Sequence, residues 1–155
     1  MISIGDAIGN KIAKKLRVSA FKRGEVYLLH MNEEDGITVK GGNTYQPKFF
    51  IVLGNDDQGN VYGGVVYDTE INQNHVPPYL KDLFLPVEDY AKYPWLSHKC
   101  FIDCTELKLT KRQKLLRGKL VGSLGDEDIA LVVKTIKMSP NENQFRLQTF
   151  VGDVR

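Results

Sequence analysis

Three histidines and two cysteines are the residues of this chain best suited to bind a metal or move a proton, and their spacing decides between those uses. Cys100 and Cys104 stand four apart in a stretch that alternates like a strand, which separates their Cα atoms by roughly 13 Å. A disulfide cannot span that distance. His30, His75 and His98 form no His-x-x-x-His pair and the cysteines no Cys-x-x-Cys pair, so neither a metal site nor a cofactor is expected. His75, in the loop Asn72 to Pro78, has another use: an imidazole there can take a proton as a general base, or it can be a solvated surface residue. The same two readings apply to His98, between Ser97 and Lys99.

A second kind of chemistry is electrostatic. The net charge of +2 conceals a segregation: residues 1–23 carry six Lys/Arg against one Asp, and residues 105–119 six against one Glu, so each is +5. Residues 24–104 hold five Lys and twelve Asp/Glu, giving −7, and residues 120–155 come to −1. Clustered Lys and Arg are the electrostatic footprint of nucleic-acid binding. The candidate nucleic-acid contacts are Lys22, Arg23, Lys111, Arg112, Lys114 and Arg117, and the same pattern also suits helices that carry solvated lysines.

The elements that must position these groups follow from periodicity. At 155 residues, 42% hydrophobic and 26% charged, the chain can bury one sizeable core, so one globular unit is expected. No apolar run reaches the roughly 18 to 20 residues of a membrane span, and the start does not read as a secretory signal, so the expected location is the cytoplasm, with no membrane partner. Ile4, Ile8, Ile12 and Leu16 recur at helical spacing, with Lys11, Lys14, Lys15 and Arg17 elsewhere, which predicts an amphipathic helix over 3–17. Gly24 to Met31 reads as a strand. A polar loop from Ile37 to Gln46 follows, and Pro47 opens the dense apolar run Phe49 to Leu53, a buried central strand.

Asn55 to Asn60 is a turn, and Val61 to Tyr67 returns as the second arm of a hairpin. A short apolar piece at Leu83 to Leu85 and an aromatic stretch from Tyr90 to Leu96, with the single tryptophan Trp95, precede a strand from Lys99 to Leu109. Strict alternation there puts Phe101, Asp103, Thr105, Leu107 and Leu109 on one face and Cys100, Ile102, Cys104, Glu106 and Lys108 on the other. Thr110 is placed to cap a short helix through Arg117, and Lys119 to Leu124 reads as a short strand. A helix from about Asp126 to Met138 has acids at its start, lysines at its end and Ile129, Val132, Val133 and Ile136 on its apolar face. Gln144 to Val151 alternates as an edge strand.

The strand opening Arg23-Gly24-Glu25-Val26-Tyr27, the Pro47-led apolar strand ending Gly54-Asn55-Asp56, the partner strand ending near Thr69, and the strand, basic helix, Gly-Lys-Leu step and final helix together resemble the PemK/MazF family of type II toxin-antitoxin toxins. The resemblance covers roughly residues 22–139. It implies a mainly β fold with helices: a strongly curved antiparallel barrel of SH3-like type over residues 22–155, with residues 1–21 as an added N-terminal helical extension and a helix near the C-terminal end. It also implies a homodimer, an antitoxin protein as partner, and metal-independent endoribonuclease action on single-stranded mRNA. Such cleavage needs a base for the 2′-hydroxyl proton, an acid for the leaving oxygen and a cation for the phosphorane.

The match is incomplete where the chemistry lies. The arginine that precedes proline in the family corresponds to Gln46, which is neutral; Lys48, two residues on and on the same strand face, is the substitute cation. Thr69 corresponds to a strand-end Ser/Thr that can donate to a phosphate oxygen. An Arg and Asp found two residues apart in some members correspond to Asp103 and Thr105, so that pair is lost or rearranged. The expected site is therefore Lys48 as cation, Thr69 as donor and His75 as base, with Gln46 in the lost arginine's place. Three functions stay open: a ribonuclease toxin of weakened activity, a catalytically silent member that binds a protein through its acidic groove or the aromatic segment Tyr90 to Trp95, and a nucleic-acid binder working through its basic helices.

Overall fold

The computed structural model describes residues 21–35, 37, 45–56, 59–67 and 78–142. The helix expected over 3–17, most of the loop before Gln46 and the edge strand expected from Gln144 lie outside the described residues. Within them, strands β1 (Glu25–Met31), β2 (Gln46–Asn55), β3 (Asn60–Tyr67), β4 (Phe84–Val87), β5 (Cys100–Lys111) and β6 (Lys119–Ser123) form one sheet in the order β4-β5-β3-β2-β1-β6. Every neighbouring pair is antiparallel, and the sheet curls into a half-barrel. Helices α1 (Arg112–Arg117) and α2 (Asp126–Lys137) flank β6 in the chain. Among the described residues no helix is long and apolar enough to cross a membrane.

The apolar run of β2 explains why the sheet needs cover on both sides. Phe50, Ile51, Val52 and Leu53 are all at most 1% exposed, and alternate residues go to different cores. Ile51 and Leu53 join Val26, Val66 and Ile102 under the apolar stripe of α2, Ile129, Val132, Val133 and Ile136. Phe50 and Val52 join Tyr27, Leu29 and Val65, with Phe21, Ile37 and Leu115 of α1. A strand buried on both faces reads as a continuous apolar run, as this one does.

Curvature comes from irregular registers, which add local twist. The largest lies between β3 and β5: Gly63 faces Lys108 but Val65 faces Asp103, so the four residues Cys104 to Leu107 stand opposite Gly64 alone, three more than a regular ladder holds. The polar backbone of this bulge is satisfied from the segment after α2. The Leu107 N–H donates to Glu142 Oε2 at 2.6 Å, and the Ser139 hydroxyl donates to the Thr105 carbonyl.

The bulge corrects the strict alternation expected along β5, because extra residues reverse the parity of everything beyond them. Leu107 joins Cys100, Ile102 and Cys104 in the α2-face core, with Leu109 packed against it, while Lys108 comes opposite Gly63. The helix cap also differs. Lys111, not Thr110, is the residue before α1 and makes no side-chain cap; Thr110 stays in β5 and donates to Asp35 Oδ1 at 3.0 Å.

The helix over 126–137 begins and ends with the charges expected. Its start is tied to the aromatic stretch: the Gly125 N–H donates to Tyr93 Oη at 3.0 Å, while the Tyr93 hydroxyl and Lys92 ammonium both donate to Asp128. Burial pushes the Asp128 carboxyl up, but these two hydrogen bonds outweigh it and hold the group below the usual carboxylate range.

Gly63 is the tightest point of the sheet, since a Cβ there would sit 1.9 Å from the Ile51 carbonyl oxygen. Gly59 has a positive φ of 84° in the β2–β3 turn, yet nothing lies within 4 Å of its Cβ position. Gly63→Ala should therefore cost about 3 kcal/mol, the upper end for overpacking, and Gly59→Ala about 1 kcal/mol from left-handed backbone strain alone. Urea denaturation midpoints compare them, and equal losses would contradict the close approach.

Candidate functional site

One end of the sheet, where β2 begins, β3 ends and β5 begins, brings Lys48, Tyr67 and Asp103 together on the α1 face. Gln46 and Lys48 pair with Met31 and Leu29, so both lie on that face, as their spacing predicts. Across β3, Tyr67 pairs with Phe101 and Val65 with Asp103, which brings Tyr67 and Asp103 to the same face. Lys48 is only 7% exposed, and its ammonium lies 4.7 Å from the centre of the Tyr67 ring. That contact suits a cation desolvated against an aromatic face.

The Tyr67 hydroxyl is held neutral. Burial first, and then the negative charges of Asp103 and Glu106, push its pKa up to about 12. Asp103 Oδ1 accepts from the Thr105 N–H at 2.9 Å and the Thr105 hydroxyl at 2.6 Å, and Lys108 Nζ lies 2.8 Å from Glu106 Oε1. The cluster thus holds two ammonium groups, two carboxylates, a neutral phenol and a hydroxyl. It can stabilise a phosphate through Lys48 and donate a proton through Tyr67, while Asp103 and Glu106 oppose an approaching polyanion.

The expected site residues are brought together in part. Gln46 and Lys48 share the face, and Gln46 is half-buried at the first position of β2. Thr69 and His75 lie outside the described residues. Tyr67 and Lys108 were not singled out from the sequence: the first needs the β3–β5 register, and the second needs the bulge that turns it inward. His98 is exposed on the other face, its Nδ1 2.8 Å from the Ser97 hydroxyl.

The basic candidates divide into structural and free groups. Arg23 Nε donates to the Leu53 carbonyl at 2.8 Å, and Arg112 donates from its guanidinium to the Asp56 carbonyl and from its backbone to Gly59 at 3.0 Å. Lys114 donates to Asp35, whose carboxylate also accepts from Thr110 and the Asn32 N–H. Lys22, Lys111 and Arg117 are exposed, and the last two line a shallow depression of about 170 Å³ that also contains Glu34 and Asp35. The aromatic segment is mostly internal: Tyr93 and Leu96 are core residues and Trp95 packs on Phe49, leaving Tyr90 the exposed large side chain.

No protein-family model and no curated protein sequence matches the chain.

The raised Tyr67 pKa fixes a stability window. Below pH 10 the phenol is neutral whether the chain is folded or not; between 10 and about 12 only the unfolded chain releases the proton. The folded state should therefore lose stability as pH rises through that window, and Tyr67→Phe should remove that part of the loss. Phenol absorbance titration of wild type minus Tyr67→Phe checks it, and a difference spectrum titrating near 10 would overturn it.

Proposed function

We propose that this protein is a PemK/MazF-like ribonuclease with a barrel of SH3-like type, cutting single-stranded RNA without a metal ion and with less power than a member that keeps the arginine. The observation that carries this reading is the Lys48 ammonium, on the same face as Gln46 and held over Tyr67 beside Asp103. In this reading Lys48 meets the phosphate charge, Thr69 donates to a phosphate oxygen and His75 takes the 2′-hydroxyl proton. Tyr67, held neutral, protonates the departing 5′-oxygen. The 2′-oxygen bonds to phosphorus as the bond to the 5′-oxygen breaks, leaving a 2′,3′-cyclic phosphate. A homodimer and an antitoxin partner belong to the same proposal.

A second reading is a catalytically silent, protein-binding member of the same fold. It is favoured by Asp103 and Glu106, which place two carboxylates beside the only phenol of the cluster.

Cleavage of a long unstructured RNA in chelator, scored for 2′,3′-cyclic ends, separates the two readings. Lys48→Ala should lower the rate by about a hundredfold to a thousandfold, the usual effect of losing an oxyanion-stabilising group. Gln46→Arg should raise it. Cleavage that is indifferent to Lys48→Ala refutes the site, and no cleavage by either the wild type or Gln46→Arg selects the silent module.

A further inference from the structure

On the opposite face of the same sheet end lies a second feature that the catalytic reading does not use. Leu28, Phe49, Val66 and Cys100 form the apolar floor of a cleft of about 200 Å³, with Pro47, Lys48, Ser97 and His98 also lining it. That is room for one planar ring system and not for a drug-sized ligand. Its charge distinguishes it from the other hollows among the described residues. His98 lines it and no carboxylate does, whereas the groove beside α2 is lined by Glu88, Asp89 and Asp128 and the depression at α1 by Glu34 and Asp35; Lys48 borders the cleft from β2, but its ammonium lies on the opposite face over Tyr67.

Beside the cleft a flat aromatic surface is already assembled. His30, two residues beyond Leu28 on the same strand face and opposite Pro47, stacks on Tyr45 with ring centres 4.5 Å apart and planes 9° from parallel. Tyr45 is 48% exposed and His30 is exposed as well.

We infer that the cleft takes one unstacked base of a single-stranded RNA, and that the His30–Tyr45 pair is the stacking platform for the next base. The choice of RNA rests on the ribonuclease reading. Stacking on exposed aromatic rings is how proteins hold unpaired bases, and a lining without carboxylates does not repel the phosphates that join them. Gln46, Pro47 and Lys48 are the shared boundary: Pro47 belongs to the cleft, and Lys48 contributes to both the cleft and the cluster around Tyr67. A strand wrapped over this end of the sheet would seat a base on one face and present a phosphodiester at the other.

The protein carries its own reporter, because Trp95 is its single tryptophan and meets Phe49 edge to face at 4.9 Å. The full chain is titrated with a 2′-O-methyl oligonucleotide, which can bind but cannot be cut by 2′-hydroxyl attack, while Trp95 fluorescence and oligonucleotide anisotropy are recorded together. A saturable change in both is expected. His98→Ala and Tyr45→Ala, both at exposed positions, should each weaken it by about tenfold, the scale of one lost stacking or rim contact, and Lys134→Ala on α2 should leave it unchanged. Melting curves confirm that the variants fold.

Absence of binding overturns the inference, as does binding seen by anisotropy that leaves Trp95 and both variants unaffected. Loss of binding in Lys111→Ala with Arg117→Ala, while His98→Ala and Tyr45→Ala bind normally, assigns the RNA to α1 and also overturns it. A Trp95 change that follows protein concentration without oligonucleotide gives the cleft to a second copy of the chain. Binding with the expected sensitivities but no cleavage of ordinary RNA sinks only the catalytic reading, whereas cleavage indifferent to His98 and Tyr45 sinks only the cleft.

Discussion

The close approach of β3 to β2 at Gly63 is the constraint from which the rest of the architecture follows. With no side chain there, the Ile51 carbonyl can lie where a Cβ would otherwise be, and the sheet bends about this point. On the other side of β3 the register with β5 slips over the same stretch, between Gly63 and Val65. One strand is thus squeezed against its first neighbour and offset from its second. A flat sheet would leave one face uncovered, whereas this one curls enough for α2 to close one face while α1, Ile37 and Phe21 pack on the other.

The bulge has an electrostatic consequence as well as a steric one. By reversing parity it carries Leu107 into the apolar core and turns Lys108 toward the α1 face. Buried charge is tolerated only with partners. Lys108 has Glu106, Asp103 has Thr105, Asp35 has Thr110 and Lys114, and Lys48 has the Tyr67 ring. Any anion brought to this face would have to compete with contacts the protein already makes, so a count of lysines overstates what the face could offer it.

What was legible in the sequence is what depends on short-range pattern. The apolar run of β2, the Asn/Asp-rich turn into β3 and the charged ends of α2 were readable because each is a local signal, and the antiparallel, mainly β architecture follows from them. The faces of β5 were not, since alternation assumes an unbroken ladder and nothing in Cys104-Thr105-Glu106-Leu107 announces the break. The release of Thr110 from its expected capping role has the same origin: its partner, Asp35, is 75 residues away. Of the candidate site, the shared face of Gln46 and Lys48 came from parity over two residues. Tyr67 and Lys108 required long-range register, and Thr69 and His75 belong to a stretch outside the described residues.

The charge of the middle segment shows why a sum along the chain is a poor guide to a local field. Its −7 would seem to forbid RNA anywhere on the sheet. Yet several of those acids are engaged by the fold itself. Asp56 accepts from Asn60 at 2.9 Å to hold the β2–β3 turn, and Asp35 binds Lys114. Glu88 and Asp89 line the groove beside α2. Their fields are screened over roughly 10 Å at ordinary salt where they face water. The end of the sheet where β2 begins is therefore two environments back to back: a mixed-charge cluster that includes the Lys48 ammonium on the α1 face, and on the α2 face a cleft lined by His98 and no carboxylate. The net charge of a segment therefore does not set the field at either face; the groups that line each face do.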